Sequence, residues 1–344
     1  MSDPSQNTIQ RAVSNGGAFP IPWGSAFPKR VSLLSSFDSS LAVNGNPFSV
    51  QSPFVARNPF IANDETEFVL DCSGRTAGSG AFREVVTSGS KSTTEHLSVG
   101  MGITVGCSFL SASVSGSYDR TVTGNSDYHK KSQHSHYRGP LINCAKLPDF
   151  TDDARALLQE NPKEFRRRYG DYFVKAVQLG GESALMVSQS ASTTTTVDAY
   201  SVTVTVKILF IKAKKTWSGQ FISSLSDRTL SLTCFDTVTS SHVSHAVNAQ
   251  SPEWVIADLA AMLEEYDDYA SNLQGRVTDR LDQLLGKGWK EGMPISEAAV
   301  GELVKSGLVV ELVLAPYETV RDFVEYKPRP VESEVALSLV LPAE

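Results

Sequence analysis

Few of the features that announce a function are present in this 344-residue sequence. Lysine and arginine number 31 against 38 aspartates and glutamates, leaving a formal net charge of −7. Non-specific nucleic-acid binding needs clustered cations to neutralise phosphates, so that class is excluded. The same sign gives no attraction to anionic membranes, and any lipid contact has to be apolar or lipid-specific. Nowhere does an apolar run approach the ~20 residues of a membrane-crossing helix. The opening MSDPSQNTIQ has neither a charged n-region nor an apolar h-region. An ordinary signal peptide is therefore not expected, and the chain reads as made soluble, cytoplasmic or released without a leader.

Chemistry-bearing patterns are equally sparse. Cys72, Cys107, Cys144 and Cys234 are widely spaced with no CxxC pair, which reads as free thiols. His129, His134 and His136 fall in one polar segment, and His242 and His245 in another, both read as loops. Without fixed ligand spacing on a rigid element, no metal is expected. Asp152/Asp153 and Asp267/Asp268 are explained as helix-surface carboxylates by dipole and solvation terms. There is no GxSxG, no P-loop, and no GxGxxG between a strand and a helix; SGRTAGSG at 73–80 lacks the lysine of a phosphate loop. Neither an enzyme nor a cofactor is expected.

What is present is patterning. Residues 1–66 are rich in Pro, Gly, Ser and Phe, with NPF triplets at 46–48 and 58–60. They predict loops and short extended pieces pinned to a folded body by Phe19, Trp23, Phe27, Phe37, Phe48, Phe54 and Phe60. From 67 to 145 the period is mostly two. In HLSVGMGITVGCSFLSASVSG, residues 96–116, apolar side chains alternate with Ser, Gly and Thr from Leu97 to Phe109. The phase then slips, and Ala112, Val114, Gly116 and Tyr118 continue it. The following DRTVTGNSDYHKKSQHSHYRG reads as polar and turn-rich.

Helical signals come next. Thr151 caps DDARALLQE, whose first-turn acids suit the helix dipole. Asn161 and Pro162 restart a helix, PKEFRRR, that stops at Gly170. A second β-rich block holds YSVTVTVKILFIK, where Tyr200, Val202, Val204, Val206, Ile208 and Phe210 alternate against Thr203, Thr205 and Lys207. TLSLTCF is a third alternating run, with Leu230, Leu232 and Cys234. A long amphipathic helix is expected from Ser251 and Pro252 to Gly286 and Gly288, then a short helix near 296–305 and a final strand, LVVELVL.

YGDYFVKAVQLGG, residues 169–181, resembles the signature of the membrane-attack-complex/perforin (MACPF) family: an aromatic, Gly, Ser or Thr, His, an aromatic, six residues and Gly-Gly. Tyr169, Gly170, Phe173, Gly180 and Gly181 match; Asp171 stands where Ser or Thr is usual, and Tyr172 where His is usual. Leu147-Pro148, the helix before the signature, the Ser/Thr block after the glycines and LVVELVLAPYETV come in the family's order. The resemblance covers roughly 65–325 and implies an α+β fold, a bent four-stranded antiparallel sheet flanked by helical clusters. It divides the chain into an N-terminal arm (1–66) packed on the core, a MACPF-like domain (67–325) and a tail (326–344). It further implies that clusters at about 92–135 and 190–225 refold into transmembrane hairpins as the sheet bend at the paired glycines opens. The candidate membrane-inserting residues are Cys107, Phe109, Ala112, Val114, Tyr118, Val197, Tyr200, Val202 and Val204. The implied partners are membrane lipids, further copies in a ring or arc, and a separate lipid-recognising protein of the kind used by fungal two-component lysins, with a target-cell membrane as the place of action.

Periodicity agrees with that implication. A transmembrane β-strand needs about 9–11 residues with one lipid face and one lumen face, and Leu97–Phe109 and Tyr200–Phe210 have that length and alternation. Residues 97–105 also read as a strand of the soluble sheet that runs on into the hairpin. Two hairpins give four strands, and the smallest barrels need about eight, so a lone copy would leave unpaired backbone in hydrocarbon. Several copies must cooperate. As helices, 111–127 and 192–206 would be poor, since each Gly costs ~1 kcal/mol and each Thr or Val ~0.5 relative to Ala. The expected function is membrane permeabilisation in toxin or defence; the alternative is a non-lytic membrane- or protein-binding module on the same scaffold.

Overall fold

The computed structural model describes residues 19–22, 31–42, 53–61, 66–73, 81–88, 129–191, 228–239, 241–247 and most of 250–328. The arm contributes strand β1 (Phe19–Pro22), strand β2 (Ser36–Phe37), helix α1 (Ser39–Ala42) and strand β3 (Phe54–Val55). Strands β4 (Glu67–Asp71), β5 (Ala81–Ser88) and β6 (His129–Lys146) follow, then helices α2 (Asp152–Glu160) and α3 (Pro162–Tyr169). Next come strand β7 (Tyr172–Ala191), strand β8 (Arg228–Asp236), strand β9 (Ser241–Val247) and helix α4 (Leu273–Leu285). Strand β10 (Pro294–Ile295), helix α5 (Glu297–Lys305), strand β11 (Val309–Pro316), a 3-10 turn (Tyr317–Thr319) and helix α6 (Arg321–Tyr326) close the described chain. The fold is α+β, with an antiparallel sheet and helices packed on it.

Two long strands organise everything. β6 has 18 residues and β7 has 20, against a usual strand of about 5–6. They pair with each other along most of their length, from His129↔Gln189 to Asn143↔Ala176. Their outer neighbours change partway. At one end β4 lies on β6 and β11 on β7, giving four central strands in the order β4-β6-β7-β11. At the other end β5 lies on β6 and β8 on β7, with β9 outside β8. Residues 129–138, expected to be turn-rich, are thus the polar half of a continuous strand. Neighbours on both sides satisfy its backbone, so ladder pairing overrides a composition poor in strand formers. His242 and His245, expected in a loop, likewise sit on β9, in register with Phe235 and Leu232.

Local signals decide the helix ends. Thr151 Oγ1 accepts from Ala154 N (3.3 Å) and Asn161 Oδ1 from Glu164 N (3.1 Å), each satisfying an orphan first-turn donor. α3 ends at Gly170 and α4 at Gly286, both at positive φ. The expected start of the long helix at Ser251 lies outside the described residues. Its ladder continues across Asn272, whose N–H donates to Asp268 O (3.1 Å) and whose O accepts from Arg276 N (3.0 Å).

An aromatic cluster welds the arm to the β4-β11 half of the sheet. Phe173 stacks on Tyr317 at 5.3 Å and meets Phe60 edge-on at 5.2 Å. Phe150 and Phe165 complete it, 5.6 Å apart. The buried Tyr317 hydroxyl and Ser36 Oγ share a 2.7 Å hydrogen bond, the polar handle such a ring needs. In the second NPF triplet Asn58 Oδ1 accepts from Phe60 N (2.9 Å) and the Phe60 ring is buried, so this triplet is a packing device. Phe173→Ala is expected to cost about 3–5 kcal/mol, read as a lower urea midpoint with the far-ultraviolet spectrum of the folded chain preserved.

Candidate functional site

The signature residues fall into two structural jobs. At the first, α3 turns into β7 through Gly170, at φ 79°, where a Cβ would lie 2.2 Å from the Phe37 carbonyl oxygen. No other residue fits that approach. Asp171 then accepts from Ser39 N (2.8 Å), Ser39 Oγ (2.5 Å) and Arg166 Nη2 (2.8 Å). It holds the start of α1 from across the sheet. Tyr172 and Phe173 open β7 in register with Phe37 and Ser36 of β2, and burial, with Asp171 and Glu318 nearby, pushes the Tyr172 phenol up.

The second job lies where β7 changes partners. β11 leaves β7 after Leu179, and β8 joins it at Ser183. Opposite, the β6 register shifts between Arg138 and Leu141, an irregularity that bends and twists a strand. Gly180 and Gly181 occupy the gap. A Cβ on Gly180 would lie 2.1 Å from the Tyr137 carbonyl oxygen; one on Gly181 would lie 2.6 Å from Val277 Cγ2 and 2.9 Å from Leu273 Cδ1. One glycine admits a neighbouring backbone, the other admits helix α4.

Charge surrounds these glycines. Arg138 donates from Nη2 to Glu182 Oε1 and from Nε to Glu311 Oε1, both at 2.8 Å, tying β6, β7 and β11 together. Burial works against this guanidinium, but Glu182 and Glu311 outweigh it and hold its pKa above the ordinary value. On the opposite side Arg276 of α4 makes a two-pronged pair with Asp236 of β8, Nη1 to Oδ1 at 2.9 Å and Nη2 to Oδ2 at 2.7 Å. The Asp236 side chain is 2% exposed. Ser183 Oγ also donates to it at 2.5 Å, and Thr239 N and Oγ1 donate at 2.8 Å. Burial raises the Asp236 pKa, but Arg276, Ser183 and Thr239 outweigh it and set the carboxyl below its usual range. Arg276 also lies over the Tyr269 ring, 4.1 Å from its centroid, which helps a cation that is partly out of water.

This arrangement is a mechanical junction, a helix clamped across a glycine pair. Among the described residues no group of His, Cys, Asp and Glu is placed to hold a metal, and no helix is long and apolar enough to cross a membrane. Cys144 and Cys234 are buried free thiols. Cys107, Phe109, Ala112, Val114, Tyr118, Val197, Tyr200, Val202 and Val204 lie outside the described residues. Sequence reasoning found the glycines and missed Arg138, Glu182, Asp236, Arg276 and Glu311. Acidic residues directly after Gly-Gly and after TLSLTCF were the available signal.

No family model and no curated protein matches the chain. Among solved structures it is similar to GNIP1Aa from Chromobacterium piscinae, at 16% identity over 90% of this chain and 55% of that one, with a TM-score of 0.35. It is similar to the cytotoxin suilysin from Streptococcus suis, at 9% identity over 88% and 61%, TM-score 0.38. A MAC/Perforin-domain protein from Bacteroides thetaiotaomicron matches at 10% identity over 79% and 64%, TM-score 0.30. The chain therefore spans 55–64% of the length of these three structures.

Arg276→Met strands Asp236 as an uncompensated buried charge, expected to cost about 3–5 kcal/mol and to appear as faster amide exchange in α4. Because the native Asp236 pKa is depressed, the clamp's contribution is complete above the unfolded value of about 3.9 and is lost only as pH falls through the lower native value. At pH 5 the protection factors of the α4 amides, observed exchange corrected for its intrinsic pH dependence, should match those at pH 7.

Proposed function

We propose that this chain is a pore-forming protein that assembles on a target-cell membrane into a ring or arc and inserts two β-hairpins per copy. Its role is mechanical, not catalytic. One observation supports the reading: the β5-β6 and β7-β8 ladders end in antiparallel pairs, and the same numbering carried along the sequence beyond them would sort most side chains by polarity.

The β5-β6 ladder ends at Ser88↔His129 and the β7-β8 ladder at Ala191↔Arg228. Each pair of ends is antiparallel, and in the inserted state proposed here the segments 89–128 and 192–227 would continue the two ladders as hairpins. Directly opposite residues share a face of the sheet. Continued residue by residue, the first register would set Leu97 opposite Arg120, Val99 opposite Tyr118, Met101 opposite Gly116, Ile103 opposite Val114, Val105 opposite Ala112 and Cys107 opposite Leu110, with Arg120 against the sorting at the base. The other face receives Ser98 and Asp119, Gly100 and Ser117, Gly102 and Ser115, Thr104 and Ser113, Gly106 and Ser111. The phase slip after Phe109 is what a chain reversal at 108–109 requires.

The second register behaves alike. Tyr200, Val202, Val204, Val206 and Ile208 fall opposite Gly219, Trp217, Lys215, Ala213 and Ile211. Ser201, Thr203, Thr205 and Lys207 fall opposite Ser218, Thr216, Lys214 and Lys212. Lys215 and, nearer the base, Asp198 opposite Phe221 would stand against the sorting on the apolar face; Val197, opposite Ile222, would take the polar one. A one-residue slip at either base would mix the two sets. An apolar face for lipid and a small, hydroxylated or cationic face for a lumen is the composition a transmembrane barrel needs. Closure then requires many copies, because an open edge in hydrocarbon is not tolerated. Recognition of the lipid falls to loops of this chain or to a separate protein.

The test is dye release from liposomes of phosphatidylcholine, phosphatidylserine, sphingomyelin and sterol in varied ratios, with electron microscopy of the same samples. Rings or arcs with leakage are expected. Val204→Arg puts a charge on the lipid face at about 2–4 kcal/mol per copy near the bilayer midplane and should abolish leakage. Thr203→Arg, one residue away on the lumen face, should leak as the parent does. Equal effects of the two substitutions would refute the assignment of faces. Membrane binding without leakage in the parent chain would mark the non-lytic module instead.

A further inference from the structure

A hollow of about 310 Å³ opens beside the first signature residues, where α3, the start of β7, the end of β11 and α6 converge. That size is at the lower end of the pockets that hold small ligands. Its apolar wall is made of rings: Phe165, Tyr172 and Tyr317 are buried and Phe323 is partly so. Phe165 meets Phe323 at 5.7 Å and 76°, and Tyr317 at 5.8 Å and 88°. Rings set nearly at right angles present both faces and edges, the surfaces against which a planar aromatic ligand packs.

The rim is charged. Lys163, Arg166 and Lys327 stand against two carboxylates, Asp171 and Glu318. Arg166 and Asp171 neutralise each other at 2.8 Å, and Asp171 is further committed to Ser39. Among the described residues neither lysine is joined to a carboxylate. Lys163 stands on α3, and Lys327, just past α6, holds its ammonium 5.6 Å from the centroid of the Phe323 ring. With Glu318 counted, the mouth keeps an excess of one positive charge. That balance suits a monoanion, since a second negative charge would meet Glu318 without a cation to answer it.

Position decides where such a ligand comes from. The hollow lies at the Tyr172 end of β7, whereas the ladder with β8 ends at Ala191. About 60 Å of strand separates the two, so the ligand is met in solution and not in a bilayer entered at the far end. We propose that this hollow binds a small soluble aromatic monoanion, an aryl carboxylate or aryl sulfonate. Its ring packs against Phe165, Tyr317 and Phe323, and its acid group sits between Lys163 and Lys327. The site stands whether or not the chain forms pores.

The probe is 2-naphthoate, titrated calorimetrically into the full chain without lipid, with the uncharged 2-naphthamide beside it. One molecule per chain is expected, and naphthoate should bind at least about tenfold more tightly, the worth of one charge-assisted bond. Lys163→Gln together with Lys327→Gln should erase that preference while leaving the naphthamide affinity and the far-ultraviolet spectrum unchanged. Lys305→Gln, at an exposed lysine of α5 outside the hollow, should bind both probes as the parent does. Naphthoate should also raise the thermal midpoint of the parent and not that of the double variant. Equal affinities for the two probes in the parent chain, or a preference that survives the double substitution, would overturn the assignment of the acid group to the lysines. Binding of neither probe at millimolar concentration would overturn the site itself.

Discussion

The whole arrangement depends on the absence of two side chains. At Gly180 and Gly181 strand β7 is approached by a backbone on one side and a helix on the other, and a Cβ at either position would overlap its neighbour. Glycine in a strand costs conformational entropy and contributes no packing of its own. It is tolerated here because the approach it permits joins three things at one point: the register shift of β6, the partner change of β7 and the seat of α4. A side chain at either position would push the β6 backbone or α4 away from the point where the partners change.

The two sides of this point are held by different forces. Toward β11 the sheet is fixed by buried aromatics and aliphatics, Phe173, Val174, Val177, Leu179, Leu312 and Leu314 among them. Burial of that kind is non-directional and resists any change in strand geometry. At the junction the ties are directional ion pairs, Arg138 to Glu182 and Glu311, and Arg276 to Asp236. A buried ion pair is a weak net contributor while intact and costly when one partner is withdrawn. Such ties hold one geometry.

How much of this was legible in the sequence follows the range of each interaction. Thr151, Asn161, Pro162, Gly170 and Gly286 act within a few residues, and their helix ends were readable from local rules. The signature glycines were readable as a motif, though not the two approaches they serve. Residues 129–138 were misread because their partners on β5 and β7 lie about forty residues or more away, and polar composition says nothing about who pairs with whom. The clamp was illegible for the same reason: Asp236 and Arg276 are 40 positions apart, Arg138 and Glu311 are 173.

The alternation from Leu97 to Phe109 is a different case, because its pattern was visible and its meaning was not. Alternation alone fixes the faces of one strand and leaves its partner unknown, so Ala112, Val114, Gly116 and Tyr118 looked like a defect of phase. A register supplied from outside the segment removes the ambiguity. Ser88↔His129 pairs an even with an odd number, so in the proposed hairpin odd residues before the tip face even residues after it. In the proposed hairpin the serines at 111, 113, 115 and 117 would share one face with Gly100, Gly102, Thr104 and Gly106, and the interruption would be the turn. The polar base of the ladder, not the apolar stretch beyond it, is what sets that register.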